Sequence, residues 1–212
     1  MGPVQRINGW LRAVPAWTLY VAGALPPVWL FALAASGRLG ADPVKGLERQ
    51  MGEWALMLIV AVLAVTPLRR FLGLNLLKFR RAIGLLAFFY VLGHFLVWIL
   101  FDMGLLWSQI LADIVKRPYV TLGMAGFLML LPLAVTSNNR SIRRLGAARW
   151  QKLHKLTYPA ALAGAVHYIW LVKSWPLEPF VYLALILTLL ALRLRFAARV
   201  AIWQTAAKAE RR

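Results

Sequence analysis

Residues 82–101 read AIGLLAFFYVLGHFLVWILF. No charged side chain interrupts these twenty residues, and one histidine, His94, stands in their second half. Roughly 20 apolar residues carry an α-helix across a hydrocarbon core about 30 Å thick. In lipid the backbone must satisfy its own hydrogen bonds, and a helix does so within one segment. The stretch is expected to cross a membrane and to hold an imidazole inside it.

Five further apolar runs flank this one, about 17–35 and 51–68 before it and 119–135, 153–172 and 179–192 after it. The short alternating segments of a membrane β-barrel are absent from the sequence. The expected fold is therefore an all-α membrane protein, six transmembrane helices in a single domain covering 1–212. The first run lacks a small-residue cleavage pattern and is followed by more spans, so it is expected to stay as an anchor. Pro26 and Pro27 are expected to bend it. Residues 137–151 are polar and Arg-rich, with Asn138-Asn139 as a turn signal. The basic tail 193–212 is expected to lie as a helix on the membrane surface. No internal repeat stands out.

The chain is 61% hydrophobic, yet it carries 25 Lys+Arg against 7 Asp+Glu, a net charge of +18. In a soluble protein that charge would point to nucleic acid. Here it falls in the loops between spans, where orientation signals belong, so no nucleic-acid partner is expected. With a cytoplasmic N-terminus, 19 of the Lys and Arg residues lie inside and six outside. That bias is expected to put both termini in the cytoplasm of a bacterial inner membrane. Trp54, Trp98, Trp107, Trp170 and Trp175 then fall near the outer boundary, as an interfacial belt should. The chain has no cysteine, which excludes disulfides, zinc thiolates and iron–sulfur clusters.

Its three histidines, His94, His154 and His167, all lie within or at the end of an expected span. An ionisable group in the membrane is a functional candidate. A lone one is about as often a neutral residue bonded to a neighbouring helix, but three with none in a loop are harder to dismiss. His94 lies twelve residues after Ala82 and His167 fourteen after Leu153. At 1.5 Å per residue these are roughly 18 and 21 Å from the cytoplasmic ends of their spans. Two imidazoles at one depth in the periplasmic half can ligate a haem iron axially, a closed pair that favours electron transfer. Gly84, Gly93, Ala163, Gly164 and Ala165 are small enough to leave room for a macrocycle, or to bring helices close.

His154 differs. It stands at the cytoplasmic mouth of the fifth span, thirteen residues before His167 and out of phase with it on a straight helix. Pro159 between them can kink the chain. No histidine matches its depth on the third span, where Arg80 and Arg81 stand. It belongs either to an inner redox site, for a flavin, a quinone or a second haem, or to interfacial structure. Arg80, Arg81, Arg149 and Lys152 lie nearest to it. The planar fork of arginine suits a flavin phosphate or haem propionates.

Two groups of residues carry a family likeness. One runs from Arg80-Arg81-Ala82-Ile83-Gly84-Leu85 to Tyr90 and His94. The other comprises Thr136-Ser137, Arg144-Leu145-Gly146, Trp150, Leu153-His154, Tyr158, His167-Tyr168 and Leu171-Val172-Lys173. Together they resemble the ferric-reductase-like transmembrane family, over nearly the whole chain and including Lys116-Arg117-Pro118-Tyr119. The resemblance implies a ferric-reductase-like bundle serving as the haem-binding membrane subunit of a periplasmic methionine sulfoxide reductase system. Such a subunit binds haem b and FMN. It takes electrons from the quinone pool or a cytoplasmic flavin reductase and passes them to a molybdopterin-containing periplasmic partner that repairs oxidised envelope proteins. By position, His94 and His167 match the family's haem ligands and His154 matches a third family histidine. Relatives with two haems carry two histidines on each of two helices, and the fourth is missing here.

Other functions fit the residues less well. A proton-relaying transporter would place acids mid-membrane, and the nearest, Glu53, stands at a span end. A purely structural anchor leaves the matched depth of His94 and His167 without a purpose. A self-sufficient ferric reductase needs a nucleotide-binding module, and no Gly-x-Gly-x-x-Gly fingerprint or soluble domain follows the sixth span. The nearest rivals are a haem-containing anchor subunit and a conduit to a different periplasmic acceptor. In each case the chain is expected to transfer electrons and not to catalyse the final reduction.

Overall fold

The computed structural model describes the backbone of residues 2–172 and 174–209, with side chains as far as Arg193 except that of Lys173. Lys173 and the last three residues of the expected basic tail, 210–212, lie outside the described residues. Ten α-helices and no strand make up the described chain: α1 Pro3–Ala13, α2 Thr18–Ala35, α3 Pro43–Phe71, α4 Arg80–Val97, α5 Trp107–Lys116, α6 Pro118–Val135, α7 Asn139–Leu145, α8 Ala147–Leu153, α9 Thr157–Leu171 and α10 Leu177–Ala209. A π-helical turn, Trp98–Asp102, continues α4, and a 3-10 turn, His154–Leu156, joins α8 to α9.

Four helical stretches among the described residues are long and apolar enough to cross a membrane: Thr18–Ala35, Pro43–Phe71, Arg80–Asp102 and Pro118–Val135. Local chemistry sets their ends. The Asp42 side chain accepts from the Lys45 amide at 3.0 Å and Pro43 opens the first turn of α3, a capped start with proline where its missing N–H costs nothing. Pro118 opens α6 in the same way. The third expected span proves to start at Arg80 and to end in the π turn, where the Met103 amide reaches the Trp98 carbonyl at 2.9 Å.

Three expectations change. The fifth span is not one helix from 153, because the 3-10 turn at His154 interrupts it and α9 holds only 15 residues, roughly 22 Å. The expected loop 137–151 contains two short helices, α7 capped by the Asn138 side chain on the Ser141 amide at 2.8 Å. They meet at Gly146, whose φ of 75° is a conformation glycine adopts without strain. The helix begun at Leu177 runs unbroken to Ala209, so the tail continues the helix of the sixth expected span as far as that residue. Besides α7 and α8, two helices had no counterpart in the hydropathy pattern, α1 and α5, because they are amphipathic and short.

Two helix pairs organise the interior. α3 packs most extensively on α4, and α6 on α9. Each pair is antiparallel, since the late residue His94 meets the early residue Glu48, and the late residue His167 meets the early residue Tyr119. The core joins the pairs through Leu56, Ile59, Leu63, Ala87, Phe88, Leu130, Ala161 and Ala165. Trp98, expected in the interfacial belt, is 7% exposed and belongs to the interior, whereas Trp107, Trp170 and Trp175 are exposed.

Candidate functional site

The His94 and His167 rings face each other with centroids 6.2 Å apart and planes at 79°. Each ring is fixed by the same device. His94 Nδ1 lies 2.7 Å from the Glu48 carbonyl oxygen, and His167 Nδ1 lies 2.7 Å from the Tyr119 carbonyl oxygen. A carbonyl only accepts, so Nδ1–H donates in both rings and Nε2 keeps its lone pair. This is how a metal-binding imidazole is oriented from behind.

Four residues beyond each carbonyl stands a glycine on the same helix, Gly52 on α3 and Gly123 on α6. A Cβ at Gly52 would lie 3.0 Å from His94 Nδ1, and one at Gly123 would lie 2.8 Å from His167 Nδ1. The absence of those carbons lets each ring lie against the neighbouring helix backbone. The sequence shows no repeat, but the two helix pairs repeat the arrangement: carbonyl, glycine one turn on, histidine on the partner helix. The residues expected to leave room divide differently. Gly164 lines the cavity beside the imidazoles and Gly84 a second one. At Gly93 a Cβ would collide with the Met51 side chain, and Ala163 and Ala165 are buried between helices, so these three serve helix packing.

The imidazoles open into a cavity between the helices that is partly open to solvent. Leu56, Ile59, Phe95 and Phe127 form apolar walls, and Lys45, Arg49 and Arg117 bring cations to its mouth. Lys45 Nζ holds Asp102 Oδ2 at 2.7 Å and Glu48 Oε2 at 3.1 Å, tying the π turn after His94 to the start of α3. These rim cations escaped sequence reasoning because they stand in polar ends of helices beside acids.

A second cavity lies toward the other end of the bundle, lined by Arg80, Arg81, Gly84, Phe88, Ser137, Trp150 and His154. Arg149 and Lys152 are exposed on α8 and do not line it. Arg81 donates to Asn139 Oδ1 at 2.8 Å. Three aromatic rings stand between the cavities: Phe95 stacks on Phe127 at 4.8 Å, and Phe127 on Phe88 at 6.1 Å.

His154 is held the other way round. The Thr136 hydroxyl donates its one proton to the Pro132 carbonyl at 2.6 Å. The Nε2 of His154, 3.2 Å from that oxygen, therefore donates to it. The Trp150 indole N–H donates to the Thr136 carbonyl at 2.9 Å, and its ring stacks on His154 at 3.8 Å. Thr136 thus anchors a Trp–His stack as the wall of the second cavity.

Nearby, Arg193 corrects a defect in α3. Pro67 has no N–H for the carbonyl four residues back, that of Leu63. Arg193 Nη2 donates to that carbonyl at 3.0 Å, and Nη1 donates to the Tyr158 hydroxyl at 3.1 Å. The guanidinium pins α10 to α3 and α9.

Comparison with known proteins agrees with this geometry. Residues 51–165 match the family described as ferric reductase like transmembrane component. Proteins named "Protein-methionine-sulfoxide reductase heme-binding subunit MsrQ" from Brucella ovis, Brucella canis and Brucella suis are each 53% identical to this chain over 178 residues, covering 84% of it and 80% of each relative. Identity of that extent, with paired helices presenting two oriented imidazoles, leads to one conclusion: the chain belongs, with these MsrQ subunits, to the ferric-reductase-like transmembrane family.

Proposed function

We propose that the protein carries electrons across a bacterial inner membrane through a haem b held by His94 and His167. The observation that carries this reading is the oriented pair: two Nε2 atoms free to ligate, on rings 6.2 Å apart. The donor set fits the group. Two metal–imidazole bonds of about 2 Å, plus the distance from each nitrogen to its ring centre, give a centroid separation of about 6 Å. When bound, haem would supply a one-electron ferric/ferrous couple, and His94 and His167 are the residues that would hold its iron. The chain's own part is to orient: the Glu48 and Tyr119 carbonyls hold the imidazoles, the phenylalanines exclude water, and Lys45, Arg49 and Arg117 suit propionates at the mouth.

Six spans, with both termini cytoplasmic, complete the reading; α9 and α10 are the fifth and sixth, and the distribution of Lys and Arg supports the orientation. The His94–His167 cavity then opens toward the periplasm. The acceptor is a molybdopterin-containing periplasmic methionine sulfoxide reductase (MsrP), in keeping with the names of the relatives. The donor is the quinone pool or a cytoplasmic flavin reductase.

The second cavity favours FMN over another haem. Among the described residues no histidine faces His154 across it, and His154 Nε2 is engaged by Thr136. Arg80 and Arg81 suit a phosphate, and the Trp150–His154 stack suits a planar ring. Arg149 stands outside that cavity, on the exposed face of α8. The test is a reduced-minus-oxidised spectrum of the purified protein together with electron delivery to the periplasmic partner. A low-spin b-type spectrum with methionine sulfoxide reduction supports the reading, and a haem-free preparation from haem-replete cells refutes it.

A further inference from the structure

Helix α1 is not part of the bundle, yet it is firmly attached to it. The Asn8 side chain donates to the Gly73 carbonyl at 2.9 Å and accepts from the Asn75 amide at 2.9 Å. Lys78 Nζ donates to the carbonyls of Arg12 and Val14 at 2.8 and 2.6 Å, closing the C-terminal end of the helix. Asn8 and Leu11 therefore face the segment that leads into Arg80 and Arg81.

The face of α1 next to this attached one is apolar and uncovered. Ile7 and Val14 are two turns apart with Trp10 between them, and they are 47%, 41% and 80% exposed. Arg6 borders this stripe, Arg12 stands on the polar face behind it, and the attached segment adds Lys78. Residues 1–41 and 54–101 contain neither Asp nor Glu. A helix with an apolar face and a basic border, held at the end of a transmembrane bundle, has the design of a segment that lies in the membrane interface. Basic residues at that level are drawn to anionic headgroups.

We propose that the Ile7–Trp10–Val14 face of α1 is a docking surface for the membrane itself, seated among acyl chains with Arg6, Arg12 and Lys78 on anionic headgroups. This would fix the 73–79 segment, and with it the entry to the Arg80–Arg81 cavity, to the plane of the bilayer. The inference does not depend on which cofactor that cavity holds.

The absence of cysteine gives a clean test. Ile7→Cys, Trp10→Cys and, as the opposite face, Gly9→Cys are each spin-labelled in the full-length protein in nanodiscs of phosphatidylcholine with or without phosphatidylglycerol. An added side chain at Gly9 meets nothing within 4 Å. Each variant is first checked for an unchanged haem spectrum, so that misfolding is separated from a wrong surface. Labels at 7 and 10 are expected to be reached by oxygen in preference to a water-soluble nickel chelate, with the reverse at 9. Phosphatidylglycerol should lower nickel access at 10 by several-fold, and R6Q/R12Q should abolish that response. Equal nickel access at 7, 9 and 10 in both lipids would overturn the proposal. So would protection of 7 and 10 that appears only when a soluble flavin reductase is added, since the face would then belong to a protein partner.

Discussion

The two cavities are built from the same materials and leave opposite atoms free. On the proposed orientation the cavity of His94 and His167 is the outer one; there backbone carbonyls engage Nδ1 of both rings, which leaves both Nε2 atoms free. In the inner one, Thr136 engages Nε2 of His154 and Trp150 covers a ring face. A histidine's chemistry is set by its second hydrogen bond as much as by its position. The outer pair is prepared for a metal, whereas the inner residue is prepared to stack and to face two arginines.

The largest effect that would sharpen this contrast is expected at Gly123. Gly123→Ala puts a carbon 2.8 Å from His167 Nδ1 and displaces its carbonyl bond. Loss of such an orienting contact costs about 10–100-fold in metal affinity. Haem content and the low-spin signal should fall accordingly, with Gly52→Ala showing a smaller loss because its contact is looser, at 3.0 Å. Retention of wild-type haem content in Gly123→Ala would mean that the carbonyl bond does not set the ligand.

Arg193→Met should follow, acting on both regions by loosening the bundle. It orphans the Leu63 carbonyl, a loss of about 1–3 kcal/mol, visible as a lower melting temperature in detergent. Pro67→Ala restores an N–H for that carbonyl, so the two substitutions should be strongly non-additive. Simple additivity would show that Arg193 does not serve the proline notch.

At the inner site, Thr136→Val removes the partner of His154 Nε2 and should cost about 1 kcal/mol. Flavin retained on purification is expected to drop several-fold while haem content stays unchanged. An unchanged flavin content would break the assignment of the Trp–His stack as its wall. The smallest effect belongs to the outer rim. Lys45 is half exposed, so Lys45→Gln should change stability by no more than about 1 kcal/mol despite two ion pairs, a bound checked in the same thermal melts.

Much of this was legible in the sequence where chemistry lies in side chains and periodicity. The α2 and α6 spans fall within a residue of their expected limits, because uninterrupted apolar runs leave helix as the only solution in lipid. His94 and His167 were brought to one level by counting alone. What was not legible is carried by backbone and by missing atoms. The Glu48 and Tyr119 carbonyls have no sequence signature, and Gly52 and Gly123 resemble any glycine in a helix. The first turns of α3, 43–50, were missed because Lys45, Glu48 and Arg49 dilute the hydropathy there. The break at His154 was missed because Leu153–Val172 reads as continuous apolar helix, with Pro159 the more conspicuous suspect. Arg193 seemed an orientation signal, and only its position opposite Pro67 reveals its task.

The central claim is that His94 and His167 alone hold the haem, and that His154 does not. It is tested most directly by haem and flavin stoichiometry on the wild type, His94→Ala, His167→Ala and His154→Ala, prepared in parallel. The account predicts one low-spin haem per chain in the wild type, none in either outer variant, and an unchanged haem with diminished flavin in His154→Ala. Low-spin haem that survives the loss of His94 or His167, or disappears with His154, would contradict it.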